Sequence, residues 1–160
     1  MNTKIKLFFI LIAGVCIGMV SCDKDNDNGK DKTDYAKEIA GKYTGDISTP
    51  EGVRIATDAV IDIEKVSGKK VLLKMDQNIY GLPVNIKCES TVTYGKEEYH
   101  IAGSTSFNAE IKEPVAVSVP ISVVVSGTIN GEGVANLDIK LSANNSPVPL
   151  PDVVFTGTKE

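Results

Sequence analysis

The side chain best placed for chemistry is Cys22, which closes the run Met19-Val20-Ser21-Cys22. A thiolate is intrinsically very nucleophilic, and a cysteine at the end of an apolar leader, directly after small Ser21, is positioned for acylation and cleavage. The rest of the chemical inventory is thin. His100 is the sole histidine, so no second imidazole can share a metal with it. It alternates with Tyr99 and Ile101 and reads as a solvent-facing strand residue. Glu97 and Glu98 are adjacent in a hairpin turn and should point apart, which suits solvation better than paired acid–base work. Cys88 sits among alternating residues and reads as a buried small hydrophobe. Gly103-Ser104-Thr105-Ser106 reads as a strand end without the spacing of a nucleophile elbow. Asp23, Asp25, Asp27 and Asp34 fall at positions 1, 3, 5 and 12 of a calcium loop, but Asn28 replaces the required glycine and Asp34 the bidentate glutamate. No catalytic residue, metal site or cofactor is expected.

The segment before Cys22 has the three parts of a secretory leader. Lys4 and Lys6 supply positive charge, and Leu7 to Val20 is an apolar run of 14 residues. A membrane-spanning helix needs roughly 20, so residues 1–21 read as a signal peptide. Met19 to Cys22 resembles the lipobox of bacterial lipoproteins, with Met where Leu is usual. That resemblance implies lipid on the Cys22 sulfur and an outer-membrane location, with surface display open. An ordinary leader cleaved elsewhere is the alternative. Residues 22–34 carry Asp and Lys with no large apolar side chain after Cys22, and read as an acidic flexible tether.

The chain from Cys22 onward loses Lys4 and Lys6 and keeps every acid, leaving 15 cations against 21 acids and a formal charge of −6. That balance disfavours binding to nucleic-acid phosphate, and Arg54 and the lysines form no basic stripe. Cys88 is then the only unmodified cysteine, so no intrachain disulfide is available.

The folded domain is expected over residues 35–160. Asp34 can cap a helical turn from Tyr35 to Ala40, which Gly41 ends. From Gly41 the period becomes two. Tyr43, Gly45 and Ile47 share one face. Ile55, Thr57, Ala59, Ile61 and Ile63 share the next, followed by Val71, Leu73 and Met75, and then by Val84, Ile86, Cys88, Ser90 and Val92. Tyr99, Ile101 and Gly103 mark a fifth strand, Val117 to Val125 a sixth, Ala135 to Leu141 a seventh, and Val153 with Phe155 an eighth. Such alternation means half-buried antiparallel strands. Thr49-Pro50-Glu51-Gly52, Ser67-Gly68, Tyr94-Gly95 and Asn130-Gly131-Glu132-Gly133 suit hairpins. Pro120 cannot donate to a ladder and belongs at a bulge, a strand start or an edge.

Eight sequential strands predict an all-β, up-and-down antiparallel barrel with a short N-terminal helical turn. A two-sheet sandwich has nearly the same one-dimensional pattern. Ile39-Ala40-Gly41-Lys42-Tyr43-Thr44-Gly45, Ser126-Gly127-Thr128-Ile129 and Val154-Phe155-Thr156-Gly157-Thr158-Lys159 resemble the calycin-like β-barrel domain of bacterial lipoproteins. The resemblance implies a barrel related in shape to lipocalins. Lipocalins carry Gly-x-Trp on the first strand, whereas this chain has Gly41-Lys42-Tyr43 and no tryptophan.

An eight-stranded barrel is either filled by side chains or holds one small ligand. The candidate lining is Ile55, Ile61, Val71, Leu73, Ile86, Val92, Val117, Val123, Leu137 and Ile139. Two functions follow from that choice. One is a lipid-anchored envelope lipoprotein whose barrel binds a hydrophobic or amphiphilic small molecule. The other is a non-enzymatic module with a filled barrel, docking in an outer-membrane or cell-surface assembly.

Overall fold

The computed structural model describes residues 34–111, 117–143 and 150–160. The leader, Cys22 and the tether as far as residue 33 lie outside the described residues. A helix, α1 (Tyr35–Ile39), precedes eight strands: β1 (Gly41–Ser48), β2 (Arg54–Ser67), β3 (Lys70–Ile79), β4 (Leu82–Gly95), β5 (Glu98–Ile111), β6 (Val117–Asn130), β7 (Val134–Ala143) and β8 (Val153–Lys159). Each strand pairs with its sequence neighbour, and β1 pairs with β8, so the sheet is a closed antiparallel barrel. The sandwich alternative is thereby excluded.

Helix α1 is too short to be stable alone. The Asp34 side chain accepts from the Lys37 amide at 3.1 Å, and the Ala36 amide donates to the Gly68 carbonyl at 3.2 Å. Ala36 and Ile39 are buried against the barrel. The helix therefore closes the end where the β2–β3, β4–β5 and β6–β7 turns lie. The β1–β2 and β3–β4 connections mark the far end.

Closure occurs where Gly45 stands directly opposite Gly157. A Cβ on Gly45 would overlap the Thr156 carbonyl and the Gly157 Cα, and one on Gly157 would meet the Phe155 ring. Two strands can approach this closely only where both lack side chains. Gly103 makes a second tight corner. A Cβ there would collide with Ser90 and Cys88, and the β4–β5 ladder ends at the Ser90–Gly103 rung.

Three local expectations change. The β1–β2 register steps from Gly45↔Ala59 to Ile47↔Ala56, so β2 carries an extra residue, with Asp58 at φ 54°. This bulge reverses the alternation, and Thr57 faces solvent rather than sharing the face of Ala59. Secondly, β5 does not end at Gly103. It runs on to Ile111, because the β6 strand continues to pair with it as far as Ile111↔Val117. Thirdly, the β4–β5 turn centres on Lys96 and Glu97, both at positive φ (54° and 66°), the handedness of a type I′ hairpin, rather than on Tyr94 and Gly95. Pro120 lies within β6, opposite Asn108 of β5. Its rung among the described residues is the one with β5.

A Gly45→Ala substitution should destabilise the domain by roughly 1–3 kcal/mol, the usual cost of forcing extra volume into a packed site. Gly68→Ala, with open space around its Cα, should change stability by no more than about 0.5 kcal/mol. Urea denaturation of both variants measures the difference.

Candidate functional site: the barrel interior and its two ends

The inner faces of all eight strands converge on one apolar core. Ser90 is the buried polar residue among those described, and its hydroxyl lies 3.5 Å from the Cys88 sulfur and 3.5 Å from the Cys88 carbonyl. Burial pushes the Cys88 thiol up, against a smaller opposing effect of the Ser90 hydrogen bond. A high thiol pKa and no solvent contact make Cys88 a poor nucleophile.

The candidate lining divides into three. Ile61, Val71, Leu73, Val92, Val123, Leu137 and Ile139 each have 0% of their surface exposed, and Ile86 has 1%. Ile55, beside the bulge, is half-buried and packs on the core from the far end. Val117 is the first residue of β6, and its side chain lies outside the described residues. The zero exposures bear directly on ligand capacity. A void large enough for a ligand would leave water-accessible area on the side chains around it. Through its middle, the barrel has no such area on its lining. Alternating positions filled by Ile, Val and Leu, with Tyr43 and Phe155 fully buried among them, occupy the space instead.

The helix end is sealed by hydrogen bonds as well as packing. The Tyr43 hydroxyl donates to the Ile39 carbonyl at 2.8 Å, joining β1 to the last turn of α1. Burial pushes the Tyr43 phenol up to about 12. Lys159 donates from its ammonium to the Glu38 carbonyl at 2.9 Å and from its amide to the Gly133 carbonyl at 2.9 Å. A depression of about 320 Å³ at this end is bordered by Glu38, Tyr99, Glu132, Lys159 and Glu160. On the other flank of α1, Tyr35, Tyr94 and Tyr99 form a cluster with ring centroids 4.9–6.2 Å apart. Tyr99 was expected to point into the barrel. It is only partly buried in this cluster, and burial, followed by the charge of Glu38, pushes its phenol up.

Ile55, Ala56, Leu82, Phe107, Val119 and Leu150 are partly buried and pack on the core at the far end. Another depression, of about 310 Å³, lies on the outer wall of β2–β4, bordered by Val60, Asp62, Lys74, Asp76, Asn85 and Lys87. There Lys74 stands directly opposite Lys87, with its ammonium paired to Glu64. His100 is exposed, and one ring nitrogen lies 3.2 Å from the Gly95 carbonyl. It caps the β4–β5 turn. Sequence reasoning did not identify the three-tyrosine cluster, because Tyr35, Tyr94 and Tyr99 come from a helix and two strand ends with no shared spacing. No group of His, Cys, Asp or Glu with metal-binding geometry occurs among the described residues.

No family model matches the chain, and no curated protein matches it. A solved structure does: that of a Bacteroides fragilis protein described as a putative outer membrane protein, with 16% sequence identity and a TM-score of 0.54 over 80% of this chain. This chain spans about half (53%) of the length of that one. At that identity the likeness concerns the fold.

Tyr43 gives the helix end a measurable signature. Its folded pKa lies above the unfolded value of about 10, so its contribution to stability is complete below that pH. The contribution fades as pH rises through about 12. Absorbance at 295 nm should show one tyrosine titrating only near that upper limit, together with unfolding. Tyr43→Phe should remove this late phase and cost roughly 1–3 kcal/mol, because the buried Ile39 carbonyl loses its donor.

Proposed function

We propose that this chain is a lipid-anchored module of the bacterial outer membrane whose barrel is a filled scaffold, acting through its surface without catalysing a reaction. The observation that carries this reading is the 0% exposure of Ile61, Val71, Leu73, Val123, Leu137 and Ile139, residues that would line any central ligand cavity. An interior without accessible area offers no buried contact surface to a guest, and burial of apolar area is what would drive lipophile binding. The leader and the lipobox-like Met19 to Cys22 support anchorage outside the cytoplasm. The outer-membrane description of the Bacteroides fragilis protein agrees with that location. The segments of β1 and β8 that resemble the calycin-like domain are compatible with this role, and that resemblance does not bring a lipocalin ligand with it.

The far-end ring favours a second reading. Ile55, Leu82, Phe107 and Val119 retain accessible apolar area at the mouth. A hydrophobic or amphiphilic molecule held there would be bound shallowly, above the packed layers.

Native mass spectrometry of the lipidated protein extracted from its own cells separates the two. The filled-scaffold reading predicts a single species carrying only its covalent acyl groups. A co-purifying lipophile that is lost in an Ile55→Asp variant would replace that reading with the mouth-binding one. Cys22→Ser should release the protein from the membrane fraction; retention of the variant there would exclude lipid on that sulfur as the anchor. Leu73→Ala should cost about 2–5 kcal/mol in urea denaturation if the interior is packed, and a cost below 1 kcal/mol would argue for an existing cavity.

A further inference from the structure

Tyr94 and Tyr99 are rung partners beside the β4–β5 turn, with ring centroids 4.9 Å apart and an interplanar angle of 52°. Tyr35 of α1 lies against both rings, 5.8 Å from Tyr94 and 6.2 Å from Tyr99. Tyr94 is 49% exposed, so a reagent in solvent reaches its ring. The side chains that usually take up oxidising equivalents are absent or enclosed. The sequence has no tryptophan. Among the described residues Cys88 is fully buried and Met75 is 2% exposed, and sulfur oxidation follows exposure. The scaffold role proposed above makes no use of the three rings.

We propose that Tyr94 and Tyr99 are an oxidative cross-linking site, joined through their ortho carbons as dityrosine when hydrogen peroxide and a one-electron oxidant of the haem-peroxidase class reach the domain. Each phenol loses one electron to the oxidant and its hydroxyl proton to water, giving two phenoxyl radicals. A carbon–carbon bond forms between the ortho carbons. Each of those carbons then releases its proton, the oxygens are reprotonated and both rings regain aromaticity. The net loss is two electrons and two protons, which convert one hydrogen peroxide into two waters. Rings already in contact combine faster than radicals on separate molecules, because the encounter is intramolecular. Of the three ring pairs, Tyr94 with Tyr99 is the closest, and the bond needs the centroids closer still. The turn beyond this rung is centred on Lys96 and Glu97, non-glycine residues at positive φ (54° and 66°). Such a conformation persists only where its surroundings enforce it. A covalent link one rung from the turn enforces it, and steadies the surface on which Tyr35 and α1 rest. Cys88 is the sole cysteine after Cys22, so a disulfide within the domain cannot supply that link.

The sequence makes the test direct, because trypsin cuts after Lys96 and separates Tyr94 from Tyr99 unless they are joined. The full chain, in dilute solution, is treated with a haem peroxidase and hydrogen peroxide, and the monomer is isolated. It should show the blue fluorescence of dityrosine, a mass lower by two hydrogens and one tryptic pair linked from Tyr94 to Tyr99. Tyr94→Phe and Tyr99→Phe keep the rings and should each lower the yield of dityrosine in the monomer at least tenfold. Tyr80→Phe removes a ring that is 61% exposed at the far end and should leave the yield within twofold. A yield that survives Tyr94→Phe or Tyr99→Phe, a link mapped to Tyr35 instead, or links formed only between molecules would overturn the assignment. So would the absence of dityrosine under conditions that couple free tyrosine.

Discussion

The structure depends on one close approach, the meeting of β1 and β8 at Gly45 and Gly157. Without a Cβ on either residue, two backbones pass at a distance that no other amino-acid pair would permit. Their contact turns an open meander into a cylinder and removes both outer edges, which would otherwise be free to pair with other chains. The same closure carries the end of the chain to the helix. The Glu160 amide donates to Lys42, and Lys159 reaches both Gly133 and the Glu38 carbonyl. The seam, the helix and the β6–β7 turn are thus linked as one structural unit.

Closure also decides what the interior can do. Once the cylinder is shut, each inward side chain competes for a volume that eight strands barely leave open. Aliphatic residues with Tyr43 and Phe155 among them take up that volume. The exception, Ser90, sits at the Gly103 corner, where the missing side chain leaves room for the hydroxyl and the Cys88 sulfur. The polar pair is accommodated by geometry and has no approach from solvent. With the centre closed, the accessible surface lies at the ends and on the outer wall.

Much of this architecture was legible in the sequence. Strand number, order and the inward set of Ile61, Leu73, Val92 and Leu137 followed from a period of two, because a half-buried strand must alternate. Local deviations did not follow. The bulge at Asp58 inserts one residue and inverts the phase beyond it, so Thr57 looked inward in the pattern and is not. The second half of β5 was hidden because Ser104, Thr105 and Ser106 are polar on both faces, and only pairing with β6 makes them a strand. The choice between filled and hollow was not legible at all. Valine at an inward position has the same letter in either case, and the difference lies in how eight faces fit together. The tyrosine cluster was equally hidden, since its members meet only after the barrel forms.

The five residues of α1 fix where the chain enters the barrel. A helix of one turn has little stability of its own, yet this one is held at several points: Asp34 on Lys37, Ala36 on Gly68, Ile39 under the Tyr43 hydroxyl, and Tyr35 against Tyr94. From Asp34 onward the chain is therefore fixed to the barrel. Tyr94 and Val66 are separated in sequence but are brought to the same end of the barrel by the β2–β3 and β4–β5 hairpins that flank the helix.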